Sequence, residues 1–204
     1  LIDRIRTAIP NDITVTVFDG TPANPTEQAV GVAAAMYKEN GCDGVLAVGG
    51  GSSLDLGKAV TIDVTHEGAL AGYTVNNGGL TKIGAVAPLV VVPTTSGTGS
   101  EVSRSAIVII DSGEKSIISS PNLMPCAAIC DPDLTIKLPP LLTAATGMDA
   151  VTHCIEAVLS PVVNPPAEAI GYDGLYRAVR EGHLEKAVAD GSDMDARWNM
   201  MMAS

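Results

Sequence analysis

The sequence predicts an α/β fold: a parallel, doubly wound sheet followed by the beginning of an all-helical domain. Three observations carry this expectation. Short, wholly apolar strands alternate with helical segments through the first half, as in sheets buried on both faces. Two of those strands run directly into loops of glycine and hydroxyl residues. Beyond Lys137 the pattern is helical to the last residue, Ser204. The expected division is residues 1–137 for the α/β domain and 138–204 for the start of the helical one.

The elements follow in order. "ITVTVFDG" is β-branched and ends in Asp-Gly, a strand followed by a turn. In "NPTEQAVGVAAAMYKENG" Asn24 is placed to cap a helix, Pro25 suits the first helical position, and Glu27 completes a capping-box spacing. Ala29, Val32, Ala33 and Met36 form the expected apolar stripe, and Gly41 ends the helix. "GVLAV" (Gly44–Val48) is a buried strand, followed by glycines and a helix from about Ser52 to Asp63. "PLVVVP" (Pro88–Pro93) is another, and "RSAIVII" and "AAICD" complete the strand-rich half. After Lys137, "LPPLLTAATGMDAVTHCIEAVLS", "PAEAIGYDGLYRAVREG" and "DMDARWNMMMAS" read as helices, broken at Pro161 and at Pro165-Pro166.

Composition narrows the function. With 204 residues, 46% hydrophobic and 17% charged, the chain can bury a substantial core. A net charge of −11, from 12 Lys+Arg against 23 Asp+Glu, argues against nucleic acid or an anionic membrane as partner. The start "LIDRIRTAIPNDI" lacks the apolar region of a signal peptide, and "AVAPLVVVP" is too short to span a bilayer. Cys42, Cys126, Cys130 and Cys154 lie in apolar contexts without a CxxC pair. They are expected to be reduced, buried thiols of a cytoplasmic protein.

The stretch "VGGGSSLDLGKAV" (Val48–Val60) joins a strand, a glycine turn and a helix. A helix N-terminus attracts anions, and glycine lets a phosphate approach the backbone closely. Neither familiar nucleotide template fits: GxGxxG lacks its third glycine at Leu54, and a P-loop would need glycine at Ser52 and a hydroxyl at Ala59. The second loop, Thr94-Thr95-Ser96-Gly97-Thr98-Gly99-Ser100-Glu101, also follows a buried strand. At the carboxyl ends of parallel strands two such loops face one crevice, so a dinucleotide could use both. The other reading is a pair of tight turns whose hydroxyls satisfy only their own backbone. Asp149 and His153 are four apart in a helical segment, on one face beside Met148, Val151, Ile155 and Val158. They can share a divalent metal or form a surface ion pair. Glu156, on the same flank, either supports that pair or is simply solvated. His66, in "THEG", and His183, expected at a helix end, are not expected to be ligands.

In this order the segments resemble the iron-containing, or group III, alcohol dehydrogenase family. The carrying residues are Asn24-Pro25-Thr26, Gly49-Gly50-Gly51-Ser52-x-x-Asp55-x-x-Lys58, Pro93-Thr94-Thr95-Ser96-Gly97-Thr98-Gly99-Ser100-Glu101, and Gly147-x-Asp149-Ala150-x-Thr152-His153-x-x-Glu156. The resemblance implies a Rossmann-like N-terminal domain, a helical C-terminal domain and a cleft between them. It implies that Gly50, Gly51, Ser52 and Asp55 meet the pyrophosphate region of NAD or NADP. Thr94, Thr95 and Thr98 are implied as nucleotide and nicotinamide contacts, Asn24 as a neighbour of the cofactor, and Lys115 as a lysine reaching the nucleotide. Asp149 and His153 match the first two of four metal ligands, one Asp and three His, for Fe²⁺ or Zn²⁺. The implied reaction is hydride transfer between NAD(P) and an alcohol or aldehyde, or a hydroxy acid or keto acid, in a homodimer.

Family members are longer at both ends. The strand that senses the adenosine 2′-position has no counterpart here, and the two remaining metal histidines are expected beyond Ser204; His183 matches neither. Other readings stay open. One is a metal-free relative resembling maleylacetate reductases, against which Asp149 argues. Another is the glycerol dehydrogenase and dehydroquinate synthase branch, which the TTSGTGSE loop disfavours. The third is a non-catalytic dinucleotide-binding fragment.

Overall fold

A computed structural model describes residues 2–204. The chain forms two compact units. One comprises the residues up to Ala47 with Asp55–Val90 and Arg104–Ala127; the other comprises Val48–Leu54, Val91–Ser103 and Ala128–Ser204.

The strand-rich half opens with helices α1 (Ile2–Ala8) and α2 (Glu27–Glu39), then β1 (Val45–Gly49) and α3 (Gly51–Asp63). Short 3₁₀ turns lead to β2 (Leu89–Pro93), β3 (Ser105–Ile109), β4 (Lys115–Ser119) and the two-residue β5 (Ala127–Ala128). One sheet has the order β1-β2-β5. Its bonds advance in the same direction along both partners: Val45 N donates to Pro88 O (2.8 Å) and Thr94 N to Gly49 O (2.9 Å). Likewise Cys126 N donates to Leu89 O and Ile129 N to Val91 O, both at 2.8 Å, so the sheet is parallel, as predicted. Strands β3 and β4 form a separate antiparallel hairpin, with Ser105 opposite Ser119 and Ile109 opposite Lys115. In the first unit Val30, Leu56, Ile62, Val108, Ile118 and Leu123 are buried together.

Several expectations need correction here. "ITVTVFDG" contains no strand; β-branched composition favours extension, but a strand also needs a neighbouring backbone to complete its ladder. Helix α2 is capped by Thr26, whose hydroxyl accepts from Ala29 N (3.1 Å), and not by Asn24. The cause is upstream: Pro25 O accepts from Ile109 N (2.8 Å), which holds Pro25 extended against β3. Glu27 forms no capping box; its carboxylate accepts from Leu70 N (2.8 Å) and Asp111 N (3.0 Å). The buried face of α2 is Val30, Ala33 and Ala34, while Val32 is 57% exposed. A segment this uniformly apolar allows more than one stripe, and packing selects among them. Cys154 is buried, but Cys42 and Cys130 are half-buried and Cys126, just before the edge strand β5, is exposed.

One feature of α3 was not anticipated. Gly57 faces β1, where an added Cβ would stand 2.7 Å from the Ala47 Cβ. Glycine here provides the close helix–strand contact expected from a third fingerprint glycine, three residues later than Leu54. Lys58, next to it, is fully buried, and its ammonium donates to Ser105 O (2.8 Å) on β3.

The second unit holds α4 (Pro140–Leu159), α5 (Pro165–Leu175), a π-turn at Tyr176–Arg180, α6 (His183–Ala189) and α7 (Met194–Ala203). Asp193 caps α7 by accepting from Ala196 N (3.0 Å). The face of α4 turned inward is Thr143, Gly147, Ala150, Val151 and Cys154. The expected stripe holds only in part, for Met148 and Ile155 are 53% and 42% exposed. Small residues face inward because α6 packs closely: a methyl at Gly147 would collide with Leu184. His183 opens α6 and is buried, contrary to its expected place at a helix end; Gly182, at φ +72°, starts the new helix. Leu141, Leu159, Val163 and Ile170, on α4, α5 and their connection, are 80%, 74%, 84% and 72% exposed. Among the described residues no helix is long and apolar enough to cross a membrane.

Arg197 on α7 is buried. Its guanidinium donates to Thr143 Oγ1 (2.9 Å), Gly191 O (3.0 Å) and Leu138 O (3.4 Å), tying α7 to the start of α4. Arg197→Ala leaves those acceptors without their donor and is expected to cost about 2–4 kcal/mol, read from the urea midpoint of the full-length protein. Gly57→Val forces α3 from β1, with an expected loss of about 1–3 kcal/mol on the same measurement.

Candidate functional site

In the second unit β1 ends at Gly49, whose φ of +144° excludes other residues, and α3 begins at Gly51. The loop after β2 is bonded to this turn, since Thr94 N donates to Gly49 O (2.9 Å). It then lies along the glycines. A Cβ on Gly50 would be 3.3 Å from Thr95 Cγ2, and one on Gly51 would be 2.6 Å from Thr98 Cγ2 and 2.9 Å from its hydroxyl. The side chains of Thr95 and Thr98 therefore lie directly against the backbone of the glycine turn. Thr98 Oγ1 also accepts from Ser100 N (3.3 Å), shaping its own loop.

The opposite side of the same loop rests on α4. A Cβ on Gly97 would stand 2.5 Å from Thr146 O. Seven residues along α4 from Thr146, His153 Nδ1 lies 3.2 Å from Gly97 O. A carbonyl only accepts, so Nδ1 is the donor in this contact and Nε2 is the ring nitrogen left toward Asp149. That nitrogen is 3.9 Å from Asp149 Oδ1, and the two side chains are 48% and 45% exposed. Glu156 is exposed.

These donors fit part of a metal centre. Bonds of 2.0–2.2 Å in tetrahedral geometry place neighbouring ligands about 3.4 Å apart, so a small side-chain rotation brings both into range. An Nε2 left toward Asp149 and a carbonyl on the other ring nitrogen match the usual support of a ligating histidine. Among the described residues no third His, Cys, Asp or Glu joins them.

The remaining candidates lie in the first unit, except Ser52, which sits in the first turn of α3 beside Gly51. Lys115 Nζ donates to Asn24 Oδ1 (3.2 Å), joining two residues 91 apart in sequence. Asp55 Oδ2 accepts from Ile107 N (3.0 Å), securing β3. Gly97 sits in the sequence motif with no chemical group that marks its role, and Thr146 lies just outside the Gly147–Glu156 motif.

Comparison with known proteins matches this arrangement. The sequence model of the family described as "Iron-containing alcohol dehydrogenase" matches residues 1–132. That described as "Fe-containing alcohol dehydrogenase family, C-terminal" matches residues 143–204. The chain is 58% identical to a 4-hydroxybutyrate dehydrogenase of Cupriavidus necator, over 93% of its own length and 50% of the relative's. It is 41% identical to a 1,3-propanediol dehydrogenase of Klebsiella pneumoniae, over 94% and 49%. Among solved structures, a 1,3-propanediol oxidoreductase superposes with a TM-score of 0.91 at 39% identity, over 100% of this chain and 51% of that one. A sulfoacetaldehyde reductase from Bifidobacterium kashiwanohense, in complex with NAD+, gives 0.88 at 31% identity, over 99% and 53%. The chain thus spans about half the length of the curated relatives it matches. With both sequence patterns met in order on a fold shared with solved members, the chain belongs to the iron-containing alcohol dehydrogenase family.

Proposed function

We propose that the full-length protein is an NAD(P)-dependent dehydrogenase requiring Fe²⁺ or Zn²⁺ and acting on a short primary alcohol with a second polar end, 4-hydroxybutyrate being the first substrate to test. The observation that carries this reading is the loop Thr94–Ser100, with its threonines against the Gly50-Gly51 turn and Gly97 O against His153. The substrate class follows from the relatives named for 4-hydroxybutyrate and 1,3-propanediol, which share that chemistry. The neighbour solved with NAD+ favours NAD as the first cofactor to assay.

In this reading residues 1–137 belong to the cofactor domain and 138–204 begin the metal domain. Backbone at Gly50, Gly51 and Ser52, at the start of α3, receives the pyrophosphate. Thr94, Thr95 and Thr98 orient ribose and nicotinamide, while Asn24 and Lys115 act together on the nucleotide. Asp55 belongs to the pyrophosphate region with one oxygen committed to Ile107, so it steadies β3 there. Asp149 and His153 hold the cation and orient the substrate oxygen. A bound divalent cation supplies Lewis acidity, and the nicotinamide supplies the hydride carrier.

Two variants test these roles separately in the full-length protein. Asp149→Ala is expected to weaken metal binding by at least about 100-fold while NADH fluorescence titration stays unchanged. Metal content equal to wild type by elemental analysis refutes the assignment. Gly51→Val wedges the two turns apart and is expected to raise the NADH dissociation constant about tenfold or more, a cost near 1.4 kcal/mol. Undiminished NADH affinity removes the glycine turn from the cofactor site.

A further inference from the structure

We propose that Gly97 is a positioning residue whose carbonyl couples the cofactor loop to the metal site, so that the affinities for dinucleotide and metal are linked through one hydrogen bond. The proposal rests on the reading above, in which Asp149 and His153 hold the cation and the loop Thr94–Ser100 holds the cofactor.

The geometry has two faces. On one, Thr95 and Thr98 pack against Gly50 and Gly51; on the other, Gly97 packs against the backbone of Thr146 on α4. Thr146, Asp149 and His153 follow each other at helical spacings of three and four, so they share a face of α4. The loop is therefore held between the glycine turn and the helix that carries the Asp/His pair.

The imidazole depends on this contact. Among the described residues the ring of His153 makes one hydrogen bond, from Nδ1 to Gly97 O at 3.2 Å. The side chain is otherwise 48% exposed. Without that acceptor either nitrogen could carry the proton, and the ring could turn about its χ angles. With it, the ring is held with Nδ1 on Gly97 O and Nε2 toward Asp149. A dinucleotide that orders Thr95 and Thr98 also orders Gly97, which lies between them, and with it the acceptor for His153. Coupling of this kind is reciprocal: whatever the cofactor adds to metal affinity, the metal adds to cofactor affinity.

Gly97→Ala is the direct perturbation. Its Cβ meets Thr146 O and Thr146 Cβ, at 2.5 and 2.9 Å, so the loop must lift from α4 and draw its carbonyl away from His153. The full-length protein is stripped of metal and its Zn²⁺ affinity measured by chelator competition, with and without saturating NAD+. Wild type is expected to bind Zn²⁺ about fivefold or more tightly when NAD+ is present. In Gly97→Ala, Zn²⁺ affinity is expected to fall about 10–100-fold, and the values with and without NAD+ to coincide. Nitrogen NMR of ¹⁵N-histidine-labelled, metal-free protein supplies a readout independent of metal. The His153 signals, identified by their loss in His153→Asn, are expected to show protonated Nδ1 in wild type and mixed tautomers in Gly97→Ala.

Three results overturn the coupling: no effect of NAD+ on Zn²⁺ affinity in wild type, linkage that persists in Gly97→Ala, or a His153 Nδ1 that carries no proton in the unsubstituted protein. The first and third are measured on the unsubstituted protein, so they decide the matter even if Gly97→Ala does not fold. Failure of the underlying site reading looks different: Asp149→Ala then keeps wild-type Zn²⁺ affinity, and the proposal falls with it.

Discussion

The second unit is organised by a steric requirement: one loop must touch two backbones at once. The segment from Thr94 to Ser100 lies against the Gly50-Gly51 turn on one side and the carbonyl of Thr146 on the other. At Gly51 and Gly97 the approach is closer than a Cβ accepts without a shift. Glycines at 51 and 97 are therefore fixed by distance, independently of any ligand. Thr98 fills the space left by Gly51, its hydroxyl also holding Ser100 N. The arrangement puts hydroxyls, helix-start N–H groups and an imidazole within a single short stretch of structure, and each is oriented by backbone.

The backbone-built cofactor site proposed above suits the charge of the chain. A protein carrying −11 would gain little from long-range attraction of a pyrophosphate anion. Local dipoles at the start of a helix do not depend on net charge. Lys115 is the cation among the candidate residues, and it is already oriented by Asn24. The buried Lys58, by contrast, spends its ammonium on Ser105 O and so serves the join between α3 and β3.

How much of this was legible depended on whether a signal was local. β1, α3 and β2 were readable because buried apolar strands ending in glycine or proline have few alternative folds. The loops were recognisable as a pair for the same reason. Thr26 and Asn24 are both competent caps two residues apart, and only the bridge from Pro25 to Ile109, far along the chain, decides between them. The strand β4 is not evident in the sequence because "KSIIS" is short and three of its five residues are polar; its pairing with β3 defines it. The facing stripe of α4 was ambiguous because most of its residues are apolar. The contact from Gly97 to His153 spans 56 residues and involves a backbone atom, so no side-chain pattern could announce it.

Leu141, Leu159, Val163 and Ile170 stand largely in water on the helical unit. Apolar surface of that kind seeks cover. Produced by itself, this 204-residue stretch would be a sticky reagent, prone to self-association and detergent uptake, with its acidic charge as the main defence against precipitation.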